Sequence, residues 1–194
     1  MITALALLIT PAKRWQRIAQ ADRGIVFVLF VSLLPLMLLA GLIEGYGLIK
    51  WGEKRGDFGA VVYISQELAI RHEAVQIGLG LLLIFVGSKF IQWIGAGFNF
   101  EPSYNQCFTL VAYGSTPIYL ARFLYSVPLI STWFCWTLGA LGFASVLYQG
   151  IAYVLKPSPT KGFGLYLLSV MILIPLSGIG HLTALSLLHG KLAL

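Results

Sequence analysis

The chain has 194 residues, of which 58% are hydrophobic and 10% charged, and its formal net charge is +6. A soluble domain carries about 25% charged residues, so there is too little charge to cover a water-facing surface, and lipid must face much of this chain. The positive balance reads as basic residues flanking membrane spans rather than as a nucleic-acid surface, because no basic face of useful size is present. The expected fold is all-α and polytopic: one bundle of about five transmembrane helices behind an N-terminal interfacial amphipathic helix.

Residues 1–10 are apolar and the charges follow them, the reverse of a secretory signal. The run is also too short to span a bilayer. Lys13, Arg14, Arg17 and Asp22 then alternate with Trp15 and Ile18. This pattern predicts an interfacial helix with its basic face in the headgroups and Trp15 at headgroup level. Residues 1–23 are thus expected as a cytoplasmic interfacial segment and 24–194 as the transmembrane domain. Spans of the ~20 residues needed to cross ~30 Å of hydrocarbon are expected over 24–48, 74–94, 106–125, 132–155 and 164–185. The short 126–131 connection predicts a tight antiparallel hairpin. The longest connection, 50–73, carries Phe58, Val61, Val62, Ile64 and Leu68. It is either a surface helix or an extension of the second span.

Basic residues set the expected orientation. With the N-terminus in the cytoplasm, Lys13, Arg14, Arg17, Arg23, Lys89, Lys156 and Lys161 lie inside. Lys50, Lys54, Arg55, Arg71, Arg122 and Lys191 lie outside. The four basic residues before the first span decide for this arrangement, and an odd span count puts the C-terminus outside. Cys107 and Cys135 fall in apolar runs without a neighbouring histidine. They read as buried small hydrophobes, and neither a metal nor a cofactor is expected.

Ionisable residues inside spans are functional candidates. Glu44, Arg122 and His181 each lie about seven residues past a span centre in the same direction, hence near one level roughly 10 Å outward of the midplane. Gly41, Glu44 and Gly45 share one side of the first span, and the Gly41/Gly45 spacing allows close helix approach. Ser115, Tyr119 and Arg122 share a face of the third span. This polar cluster of Glu44, Ser115, Tyr119, Arg122 and His181 reads as an outer cavity that binds or passes something. It reads equally as a Glu44–Arg122 ion pair locking two helices, or as side chains snorkelling to the headgroups. Lys89 reads as a snorkelling lysine at the inner face. Pro117 removes an N–H and frees a carbonyl near mid-membrane beside Tyr113, Gly114, Ser115 and Thr116. That is either the broken helix of a transporter site or a proline kink re-satisfied by a hydroxyl. A Ser115–His181 protease pair is disfavoured, because the two lie at different depths and a nucleophile and base need ~3 Å contact.

Two sets of these residues resemble signatures of the bacterial branch of the Yip family, five-span membrane proteins with Rab-interacting eukaryotic relatives. Pro11, Trp15 and Ile18 match Pro-x-x-x-Trp-x-x-Ile. Tyr104-x-Gln106 leading into Ala112-Tyr113-Gly114-Ser115-Thr116-Pro117 is similar to aromatic-x-Gln followed by Ala-Tyr-x-Ser-x-Pro. The stretch Phe98 to Ser103 departs from the glycine-rich turn often found before that second motif. The resemblance implies a fold and a membrane location, and no established reaction. Eukaryotic members bind partners through a long acidic N-terminus, which the 23 residues before the first span do not provide, so a Rab-type GTPase is not carried over as a partner.

The sequence therefore points to a non-catalytic bacterial inner-membrane protein that organises membrane or binds lipid or partner proteins, a homo-oligomer included. The alternative is a small-solute or ion transporter or channel using the polar outer cavity and the broken third span.

Overall fold

The computed structural model describes residues 7, 11–55, 60–127 and 130–190. Helix α1, Pro11–Ala21, starts on proline, whose fixed φ and missing N–H suit the first helical position. After a short turn, α2 runs Ile25–Trp51. Its turn Val28–Leu33 is π-helical and directly precedes Pro35, which cannot donate to the carbonyl one turn back. This helix covers the 24–48 stretch expected for the first span from residue 25 onward.

Beyond α2, β1 (Glu53–Arg55) pairs antiparallel with β2 (Ala60–Val62), Glu53 opposite Val62. Helix α3 then extends Gln66–Gly97. The 50–73 connection is therefore neither a surface helix nor wholly an extension of the second span. It is a β-hairpin followed by eight residues, 66–73, that belong to the spanning helix. Phe58 lies outside the described residues. The helix starts early because Ser65 caps it, accepting from Leu68 N at 3.3 Å. Glu67 in the first turn pairs with Arg71 at 2.6 Å.

Helix α4, Tyr104–Gly114, opens with a capping box. Gln106 N donates to Ser103 Oγ at 3.2 Å and Ser103 N donates to Gln106 Oε1 at 3.0 Å. The helix breaks at Ser115 and resumes as α5, Thr116–Ala121, which tightens into a 3₁₀ turn, Arg122–Ser126. Every residue from Cys107 to Gly114 is buried, so this segment is the centre of the bundle. Helix α6, Thr132–Leu155, and α7, Pro159–Leu188, complete it. α6 ends in a π-helical turn closed by left-handed Lys156 and then Pro157; α7 passes through Pro175 unbroken.

Among the described residues, four helices, α2, α3, α6 and α7, are long and apolar enough to cross a membrane. The α4–α5 segment is not among them because the break at Ser115 divides it into helices of 11 and six residues. α6 approaches α5 through Gly139, where an added Cβ would lie 2.9 Å from Ile118 Cα. α3 packs along α7, α4 fills the space between α2, α3 and α6, and α1 lies against α6. Aromatic residues mark both ends: exposed Trp93 at the α1 end, exposed Trp51 and Trp133 at the hairpin end.

Trp15 departs from its expected place at headgroup level. It is fully buried, donates from Nε1 to Val146 O at 3.1 Å and meets Tyr113 edge-on. Ile18, one turn on, is buried with it. The apolar side of α1 therefore faces the bundle, because the indole finds there both packing and an acceptor that headgroups would otherwise supply.

Candidate functional site

Near the hairpin end, α2, α3, the 3₁₀ turn and α7 converge on one buried polar network. Arg122 donates from Nε to Glu44 Oε2 at 2.7 Å and from Nη2 to Glu73 Oε2 at 2.6 Å. The Arg122 and Glu44 side chains are 4% and 3% exposed, respectively, so neither snorkels. Charge-assisted bonds of this length are the strong kind, and burial makes losing either partner costly. Gly41 admits the second carboxylate: a Cβ there would lie 2.7 Å from Glu73 Oε2.

His72 extends the network to α7. Its Nδ1 lies 3.0 Å from Ala184 O, a carbonyl that can only accept, so Nδ1 carries a proton. Its Nε2 lies 2.7 Å from Gln76 Nε2, which also lies 2.9 Å from Glu44 Oε1. One assignment satisfies both contacts: the Gln76 amide donates one hydrogen to His72 Nε2 and the other to Glu44 Oε1. Glu73 Oε1 is buried without a partner. Two carboxylates thus share one guanidinium. Glu44, His72 and Glu73 also offer ligand atoms within 4.8 Å of one another, as a metal site would. Arg122 and the Gln76 amide engage Glu44, Glu73 Oε2 and His72 Nε2, which leaves Glu73 Oε1 without a partner among the described residues.

A cavity of about 70 Å³ adjoins the network, with Gln76, Ser115, Tyr119, Arg122, Trp136 and His181 in its wall. That is room for more than one water-sized guest. His181 stacks on Trp136 at 6.4 Å and 9° and sits edge-on to Trp133. Its Nε2 and the Trp136 indole N–H are buried without partners among the described residues. The cavity therefore offers one donor and one imidazole nitrogen to a small polar guest.

The structure thus brings Ser115, Tyr119, Arg122 and His181 around one cavity and ties Glu44 to it through Arg122. Ser115 faces its own helix: its hydroxyl donates to Val111 O at 2.6 Å. Val111 O also accepts from Ser115 N at 2.9 Å, so this hydroxyl does not meet the Tyr113 carbonyl that Pro117 frees. Ser115 and His181 share no hydrogen bond. Sequence reasoning missed His72, Glu73 and Gln76, which it assigned to the loop or left unremarked. The Ser65 cap with Glu67 was the available signal, since it moves the helix start upstream and brings Glu73, Gln76 and Gly80 onto one face.

The motif residues do identifiable work. Pro11 starts α1, and Trp15 and Ile18 dock it. Tyr104 donates to Phe85 O at 3.1 Å, and Gln106 closes the capping box. The Tyr113 hydroxyl lies 3.0 Å from Ser32 Oγ in the π-helical turn of α2. Pro117 packs where a Cβ on Gly142 would stand, 2.6 Å from its own Cβ. The family model for the Yip1 domain matches residues 5–180. The chain belongs to the Yip family. The matched region runs from the α1 anchor to the cavity and includes every cavity residue named above except His181. No curated protein and no solved structure matches the chain.

Proposed function

We propose that this Yip-family chain is a non-catalytic membrane protein that organises membrane by binding lipid or partner proteins. The observation that carries the reading is that its buried charged residues are spent on joints between its own helices: Arg122 on Glu44 and Glu73, and His72 on Ala184. A catalytic or transport site needs groups held free for a substrate, whereas these hold helices together. We propose five crossings, counting the broken α4–α5 segment as the third. The N-terminus is cytoplasmic, the C-terminus lies across the membrane, and the membrane is a bacterial inner membrane. The basic residues of α1 and its end of the bundle support that orientation. A reporter active only in the cytoplasm is expected to be silent when fused to Leu194.

A second reading, a small-solute or ion transporter, is favoured by one feature: the 70 Å³ cavity beside a charge-imbalanced network, with His181 Nε2 and Trp136 Nε1 unpartnered. Proteoliposomes decide between the two. The organiser reading expects sodium, potassium and proton gradients to decay no faster than in protein-free vesicles. Flux that Glu44→Gln abolishes establishes transport instead.

A further inference from the structure

At the opposite end of the bundle, charge is left unspent. Helix α1 lies across the mouth of a cavity of about 160 Å³ walled by Arg14, Arg17, Arg23, Thr109 and Tyr113. Arg14 and Arg17 are three residues apart and so share a face of α1. Arg23 lies just past its end, the guanidinium 4.2 Å over the Phe27 ring. Among the described residues, none of the three arginines has a carboxylate within ion-pair distance. Asp22, the acid in the same stretch of chain, accepts from Asn105 Nδ2 at 3.3 Å and lines a neighbouring cavity with Arg23 and Lys156. The floor supplies hydroxyls. Thr109 and Tyr113 are buried, and the Tyr113 hydroxyl can turn its proton toward the cavity when Ser32 donates to it. Trp15, locked on Val146, holds α1 in place above.

We propose that this cavity binds the phosphodiester headgroup of an anionic phospholipid. The proposal rests on the lipid-binding half of the organiser reading and names its ligand. Three guanidinium forks match phosphate oxygens, which accept bidentate donation. The position selects lipid over a soluble anion or an acidic peptide. The cavity includes Val28, at the start of the apolar α2 span. On the same side the Arg23 guanidinium lies over the Phe27 ring, and Phe27, next to Val28, is 37% exposed. A headgroup among the arginines would thus leave its acyl chains against that open apolar flank. Basic pockets at this depth bind anionic headgroups in membrane proteins generally.

The test uses the full chain in detergent, titrated with phosphatidylglycerol, phosphatidylcholine or inorganic phosphate, with binding read by native mass spectrometry and by the shift in melting temperature. Phosphatidylglycerol is expected to bind and to raise the melting temperature, with phosphatidylcholine and inorganic phosphate doing neither. Each of R14Q, R17Q and R23Q should weaken phosphatidylglycerol binding about fivefold, and the triple variant about a hundredfold. The triple variant must keep the melting temperature of the parent without lipid, and Lys50→Gln at the other end must keep full binding. Equal binding of the two lipids, or a triple variant that binds like the parent, overturns the proposal. A shift produced by inorganic phosphate alone overturns the lipid assignment. The flux experiment is independent of these outcomes: unselective lipid binding with tight vesicles removes this site and leaves the organiser reading, whereas flux removes the reading itself.

Discussion

The two ends of the bundle treat charge in opposite ways. At the hairpin end, Glu44, Glu73 and Arg122 are buried and bonded to one another, with His72 and Gln76 completing the set. At the α1 end, Arg14, Arg17 and Arg23 line an open cavity and have no acidic partner among the described residues. The difference follows from where each group can find compensation. A charge held inside a membrane bundle must be paired within the protein, because neither lipid nor water solvates it there. A charge at the boundary can be solvated by water or by the anionic headgroups it faces. The buried end therefore fixes the fold, and the boundary end is free to meet a ligand.

That comparison can be broken by substitution. Arg122→Gln leaves two buried carboxylates facing each other. It should cost about 3–5 kcal/mol, read as a large fall in melting temperature of the purified protein. Trp15→Ala removes the buried indole and its bond to Val146. It should cost about 3 kcal/mol, concentrated on α1, so that hydrogen exchange rises over residues 11–21 while α4 stays protected. Exchange rising equally through the bundle would mean that α1 is not a docked element. Gly41→Ala forces Glu73 away from Arg122 and should cost about 1–3 kcal/mol. An unchanged melting temperature would show that Glu73 moves aside freely. Gln76→Ala removes the amide that bridges His72 and Glu44. It should cost about 1 kcal/mol, the smallest loss of the series.

Much of this was legible in the sequence, for physical reasons. Apolar length located α2, α6 and α7, because the hydrocarbon thickness fixes how many residues a span needs. The equal-depth arithmetic put Glu44 and Arg122 at one level, because alternate spans run in the same direction. The buried face of α1 was misjudged: an apolar stripe fits a bundle and a headgroup layer equally well, and only the partner of the Trp15 N–H distinguishes them. His72 and Glu73 went unremarked because the second half of the 50–73 connection was left open between a surface helix and an extension of the second span. Ser65 and Glu67 start the long helix there, and it carries Glu73 to Arg122. The β-hairpin was invisible because its strands have three residues each, too few for an alternating apolar pattern to show.

The central claim is that the charges inside the bundle hold one another. A double-mutant cycle on Glu44 and Arg122, read as thermal stability of the purified full chain, tests it most directly. Glu44→Gln and Arg122→Gln should each destabilise strongly, and the double variant should fall short of their sum by more than about 1 kcal/mol. Additive losses would mean that the two residues act separately, which would contradict the account.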